Sequence, residues 1–149
     1  MTGVQTCALP ICFPVTIVED EPNLALSQIA ADVIAIGPGL GQSEFAFQWL
    51  KACLEYPRAP LILDADALNL IADSEVLLIA LRQRNMKFPG QSVITPHPGE
   101  AAKLLKTLTE NIQTNRLDAL QQLVSLTQSI VVLKVQHIVT GKQIGRAHV

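Results

Sequence analysis

Four short, unbroken apolar runs punctuate the chain: Val33-Ile34-Ala35-Ile36, Leu61-Ile62-Leu63, Val93-Ile94 and Ile130-Val131-Val132-Leu133. None alternates polar with apolar residues, so none reads as a strand with one wet face. Solid runs of this length suit strands buried on both faces, as in a parallel sheet covered by helices. The stretches between them carry helical spacing. Phe45, Trp49 and Cys53, with Ala46 and Leu50, form one apolar stripe behind Ser43, a candidate N-cap. Val76, Leu77, Ala80 and Leu81 form a second behind Ser74. Ala101, Leu104, Leu105 and Leu108 follow the i, i+3, i+4, i+7 pattern, and Leu117, Leu120 and Val124 continue it. Strand starts recur at roughly the 30-residue length of a βαβ unit. The pattern predicts an α/β domain of three layers, helices on both sides of a mostly parallel central sheet. Residues 13–20, FPVTIVED, carry a weaker strand signal.

The two ends break this pattern. TGVQTCALPI (residues 2–11) and IGRAHV (residues 144–149) read like translated adapter sequence, not like segments selected to fit a core. Residues 1–11 and 143–149 are therefore expected to pack poorly and to lie outside the domain, which would span 12–142. The N-terminal stretch also lacks the basic and apolar blocks of a signal peptide.

Composition narrows the function classes. With 49% hydrophobic and 16% charged residues, the chain has enough apolar surface to bury a core. A formal net charge of −2 and the lack of a basic tract argue against a nucleic-acid groove, so an anionic ligand would be held by local groups. The apolar runs are too short for a membrane span. Cys7, Cys12 and Cys53 make neither a paired framework nor a metal-ligand spacing, and read as free thiols in the reducing cytoplasm.

Candidate chemistry sits just past the end of each strand. Gly37-Pro38-Gly39-Leu40-Gly41 succeeds the first run, Asp64-Ala65-Asp66-Ala67-Leu68-Asn69 the second, Thr95-Pro96-His97-Pro98-Gly99-Glu100 the third and Lys134 the fourth. In an open parallel sheet the carboxyl ends of the strands share one edge, and ligands bind there. Four sequence-distant polar clusters should therefore converge on one rim. The glycine loop opens a helix and can cradle a phosphate, or serve only as a tight turn. Asp64 and Asp66 can orient hydroxyls or hold a hydrated Mg²⁺. Alternatively Asp66 caps the helix that begins at Ala67, the employment favoured here, with Asp64 left to the site. Asn69 falls one helical turn later. His97, stiffened between two prolines, can donate to a phosphate or hydroxyl, or sit as an ordinary surface histidine. Glu100 lies in a first helical turn and either complements the dipole or reaches Mg²⁺ through water. Lys134 ends an apolar run, where its charge must find a phosphate or snorkel to solvent.

GPGLG, DADALN, TPHPGE and VVLK, in this order and spacing over roughly residues 24–140, resemble the carbohydrate-kinase-like domain of the ADP/ATP-dependent (S)-NAD(P)H-hydrate dehydratases. The resemblance implies a ribokinase-like fold, incomplete toward the C-terminus, and repair of hydrated nicotinamide cofactor, NAD(P)HX. In that reaction ADP or ATP phosphorylates the hydrate hydroxyl and phosphate then leaves. It further implies that Gly39, Gly41 and His97 bind the hydrate and that Asp64 and Asn69 shape the substrate rim. Lys134 and His137 would meet the nucleotide, and Glu100 the Mg²⁺ environment. The parent would take NAD(P)HX and an adenine nucleotide as partners, in the cytoplasm. A fused NAD(P)HX epimerase domain and a homo-oligomer are both allowed.

Two departures accompany the resemblance. The family reads Lys-Gly-x-x-Thr where this chain has Lys134-Val135-Gln136-His137-Ile138, and a branched side chain at 135 obstructs close backbone approach to a phosphate. The family's Gly-Gly-Ser-Gly-Asp motif is absent from the 149 residues. The catalytic aspartate is therefore expected beyond the chain end, and the fragment alone is expected to be inactive. Two competing readings are a small-molecule alcohol kinase of the same fold, of thiazole or pyrimidine type, and a non-catalytic fragment.

Overall fold

A computed structural model of the chain describes residues 2–5, 15–18, 21–134 and 139–141. The chain divides into two compact units, residues 1–30 and 31–149. In the first, β1 (Thr2–Gln5) pairs antiparallel with β2 (Val15–Val18), so part of the stretch set apart on sequence grounds forms a backbone ladder. β2 falls within the weak strand signal at 13–20. Helix α1 (Pro22–Gln28) begins on Pro22, where a missing N–H costs nothing, and buries Ala25 and Leu26.

The second unit runs β3 (Ile34–Ile36), α2 (Glu44–Glu55), β4 (Leu61–Leu63), α3 (Asp66–Asp73), α4 (Glu75–Lys87), β5 (Ser92–Ile94), α5 (Pro98–Leu105), α6 (Thr109–Thr114), α7 (Arg116–Thr127), β6 (Ile130–Leu133) and β7 (Val139–Gly141). Its sheet has the order β3-β4-β5-β6-β7. The first four strands are parallel and β7 is antiparallel to β6. The four apolar runs are the four parallel strands.

Because each crossover steps the same way across the sheet, right-handed connections bring all their helices to one face. Along that face α2 packs on α4, α4 on α7 and α3 on α5. Burial follows the register. Ile36, Leu63, Ile94 and Val131 share one row, and Ala35, Ile62, Val93 and Ile130 the next. Leu61, Leu63, Ile94, Val131 and Leu133 are fully buried under the helices. On the opposite face Ile62 is 38% exposed, Ala35 is exposed, and Val93, Ile130 and Val132 are half-buried. Burial on both faces, expected from the solid runs, thus holds for the helix-covered face alone. The other face is apolar and partly open.

The helical stripes are narrower than their sequence pattern. Ser43 and Ser74 cap α2 and α4 as expected, their hydroxyls accepting from the N–H groups of Ala46 and Leu77. Ala46, Leu50 and Cys53 are buried but Phe45 is 51% exposed; Leu77 and Leu81 are buried but Val76 is 55% exposed. The third stripe breaks at Lys106, whose left-handed backbone (φ 52°) ends α5. Leu108 therefore falls outside that helix and is exposed. At the amino edge of the sheet, buried Arg84 fastens the α2–β4 connection. Its guanidinium donates to the carbonyls of Leu54, Tyr56 and Ala59 and to the Ser92 hydroxyl.

Candidate functional site

The four polar clusters meet at the carboxyl edge, and the backbone itself shows it. Past the end of the regular ladder, the Asp64 N–H donates to Ile36 O (3.2 Å), the Thr95 N–H to Leu63 O (3.1 Å) and the Lys134 N–H to Pro96 O (2.8 Å). Each strand thus hands its first polar residue to its neighbour. The glycine loop, the Asp64–Asp66 turn, the Thr95–Glu100 segment and Lys134 form one continuous rim.

The glycine loop is pressed against the Asp64 turn. A Cβ on Gly37, whose φ is 136°, would lie 1.7 Å from the Asp64 carbonyl oxygen, so only glycine fits. Gly39 and Gly41 differ. Both have positive φ, at 72° and 77°, and a Cβ on either would meet nothing within 4 Å. Their backbone faces open space, as a loop approached by a ligand must.

Asp64 and Asp66 part company. An Asp64 oxygen accepts from Lys134 Nζ at 2.6 Å and from the Ala65 N–H at 2.9 Å. Burial opposes ionisation of Asp64, but the bonds from Lys134 and Ala65 and the Lys134 charge outweigh it. Its carboxyl is held below the usual aspartate range. Lys134 therefore neither snorkels free nor stands alone; it is an ammonium tied to a carboxylate across the sheet edge. Asp66 is not the helix cap that its position suggests. Helix α3 begins at Asp66, the cap position belongs to Ala65 without a side-chain bond, and an Asp66 oxygen accepts instead from the Gly41 N–H at 2.9 Å. Asn69 lies in the next turn of α3, its amide reaching Ala65 O at 3.4 Å.

His97 is the N-cap of α5. Its Nδ1 accepts from the N–H groups of Gly99 (3.0 Å) and Glu100 (3.3 Å), while Glu100 accepts from the His97 N–H at 2.9 Å. This is a capping box with imidazole in place of the usual hydroxyl. The cap decides the tautomer: with the Nδ1 lone pair occupied, a neutral ring carries its proton on Nε2. The side chain is 56% exposed, so that N–H donor stands at the rim. Glu100 is buried, one oxygen on the His97 N–H and the other 3.3 Å from His97 Nε2. Its carboxylate is spent on the cap. Among the described residues no group of three or more His, Cys, Asp or Glu side chains converges on a metal position. His137 lies outside the described residues. Cys53 is not a candidate nucleophile, being buried, with its thiol pushed up to about 12 by burial against the opposing Arg84 charge.

The sequence assembles the rim but conceals the part of one member, Asp66, which reads as a local cap. The signal for Asp66 is the paired carboxylates at a strand end beside a glycine loop; the 25-residue reach to Gly41 is not legible in it.

Comparison with known proteins shows the family. A family model described as NAD(P)H-hydrate dehydratase matches residues 5–146. The bifunctional NAD(P)H-hydrate repair enzyme of Escherichia coli is 43% identical over 104 residues, covering 70% of this chain and 18% of that protein. The ADP-dependent (S)-NAD(P)H-hydrate dehydratase of Neisseria meningitidis is 35% identical over 126 residues, covering 82% and 40%. Among solved structures, the Bacillus subtilis ADP/ATP-dependent NAD(P)H-hydrate dehydratase co-crystallised with ATP/Mg²⁺ and soaked with CoA superposes with a TM-score of 0.61 at 27% identity, over 85% of this chain and 43% of that one. A ribokinase-like superfamily protein of Enterococcus faecalis gives 0.58 at 30% identity, over 79% and 38%. The chain spans less than half the length of each of these relatives. The ribokinase-like α/β fold expected from the sequence is the fold of these neighbours, and the chain belongs to the NAD(P)H-hydrate dehydratase family.

Proposed function

We propose that the rim is one side of the active site of a nucleotide-dependent (S)-NAD(P)H-hydrate dehydratase, with the hydrate held by Gly39, Gly41 and His97. The observation that carries this reading is the open, positive-φ glycine loop on the same strand edge as an exposed imidazole with a fixed tautomer. A glycine backbone open to close approach at a helix entrance suits the pyrophosphate of a dinucleotide. The His97 Nε2–H suits a phosphate or hydroxyl oxygen, and Asp64 with Asn69 forms the polar wall behind. Lys134, held by Asp64, is a cation that ADP or ATP phosphates would meet at the far side of the rim, with His137 next along the chain. The nucleotide supplies the phosphoryl group that turns the hydrate hydroxyl into a leaving group; these residues bind and orient. Mg²⁺ does not fit Glu100 as placed, because its buried carboxylate is committed to the helix cap, and no step is assigned to a metal. A small-alcohol kinase is disfavoured because the family model and the named relatives are hydrate dehydratases or repair enzymes. Cytoplasmic location and a fused epimerase belong to the same proposal, the latter supported by the bifunctional relatives. Among the described residues no helix is long and apolar enough to cross a membrane.

The test separates the cap from the donor. In a full-length dehydratase carrying this segment, His97→Asn keeps a good N-cap acceptor and removes the Nε2 donor. The expected result is an unchanged melting midpoint with catalytic efficiency on NAD(P)HX lowered roughly 10- to 100-fold, the range for a hydrogen bond to a charged group. His97→Ala should lose the same activity and also about 1 kcal/mol of stability. Unchanged efficiency in His97→Asn would remove His97 from the site. Absence of nucleotide-dependent NAD(P)HX dehydration in the parent would overturn the function itself.

A further inference from the structure

Three observations meet at Asp66. Its carboxylate accepts the Gly41 N–H at 2.9 Å across 25 residues of sequence. The turn that delivers it is strained: Ala65 sits at φ 49°, ψ −120°, and the Ala67 N–H closes the turn on Asp64 O at 3.1 Å. That geometry is the first central position of a type II′ turn, where glycine is the ordinary occupant, so an alanine there is held against its preference. Finally, the outer half of the glycine loop has little else to fix it. Gly39 and Gly41 are exposed, with open space where side chains would stand, and the loop's own turn bond runs from the Leu40 N–H to Gly37 O. A segment so rich in glycine has a wide choice of backbone conformations. One directional hydrogen bond from outside the loop is enough to select among them.

We infer that Asp66 is a positioning residue that sets the shape of the glycine loop for the dinucleotide hydrate without touching the ligand. The inference rests on the reading that this loop holds the hydrate. The strained Asp64-Ala65-Asp66 turn sends its two carboxylates to different clients, Asp64 to Lys134 and Asp66 to Gly41. The same turn thereby fixes the nucleotide-side cation and the hydrate-side loop in one frame. The simpler role for Asp66, a carboxylate complementing the dipole of α3, predicts dependence on charge. Positioning predicts dependence on the acceptor atom.

The experiment uses a full-length dehydratase carrying this segment, with Asp66→Ala, Asp66→Asn and, as a control on the loop, Gly39→Val. Asp66→Ala should raise KM for NAD(P)HX about tenfold, the loss expected for one hydrogen bond, with kcat and the KM for nucleotide within about threefold. Asp66→Asn keeps an oxygen acceptor and should recover most of that loss. Hydrogen exchange at the Gly41 amide should accelerate in Asp66→Ala while the amides of α3 stay as protected as before. A hydrate KM unchanged in Asp66→Ala, or an Asp66→Asn variant as impaired as Asp66→Ala, would overturn the inference. If Gly39→Val also leaves the hydrate KM unchanged, the loop does not hold the hydrate and the functional reading fails first. In that case accelerated Gly41 exchange still shows the tether, and unaccelerated exchange removes it.

Discussion

Asp64 illustrates how a single residue at the rim converts position into charge. Burial alone would favour its neutral form, yet the Ala65 N–H and the Lys134 ammonium hold its carboxyl below the ordinary range near 3.9. A depressed folded-state pKa adds stability that is complete above the unfolded value and is lost as pH falls through the folded one. The Asp64–Lys134 tie should therefore persist through neutral pH and fail only below about pH 4. Asp64→Asn is expected to cost on the order of 1 kcal/mol at pH 7. Urea melts at a series of pH values should show that gap closing below about pH 4. Parallel curves at all pH values would mean that the carboxylate adds nothing to the fold. His97 shows a second lesson of the same scale. Proline-bounded, it reads in the sequence as a candidate for the ligand or an ordinary surface histidine; the structure gives it a capping role through Nδ1, and the proposed ligand role would use Nε2.

At the scale of elements, the sheet is fastened differently at its two edges. The carboxyl edge carries the exposed rim, while at the amino edge Arg84 gathers three carbonyls of the α2–β4 connection together with Ser92. A guanidinium fork can serve several acceptors in fixed directions; an ammonium cannot. Arg84→Met should fill the space but orphan those carbonyls, lowering the unfolding free energy by about 2–4 kcal/mol, and Arg84→Lys should recover only part. Denaturant unfolding measures both, and a Lys variant equal to the parent would show that charge, not the fork, matters.

At the largest scale, that of the second unit, the consequence of the β3-β4-β5-β6 order is an asymmetric sheet. Right-handed crossovers that always step one way spend all their helices on one face, leaving Ile62 38% exposed beside fully buried Leu61 and Leu63. Neighbouring residues of one strand should then respond very differently. Leu63→Ala is expected to cost about 2–5 kcal/mol through lost burial and a cavity, while Ile62→Thr should cost less than about 1 kcal/mol. Comparable losses in unfolding experiments would show that the second face is packed in solution.

What the sequence by itself determined is what local chemistry fixes. Solid apolar runs specify four strands, Ser43 and Ser74 specify two helix starts, and the carboxyl-edge rule places four polar clusters on one rim before any coordinate is known. Their motifs carry the family. What only the tertiary structure decided are the partners across long sequence separations. Asp66 looks like a helix cap because capping is a short-range use of aspartate, yet packing presents it with the Gly41 N–H. Lys134 looks like a phosphate ligand or a snorkelling surface cation until the parallel register sets it beside Asp64. The solid runs look doubly buried because hydrophobicity records what a strand can bury, whereas the order of strands decides which face the connecting helices cover.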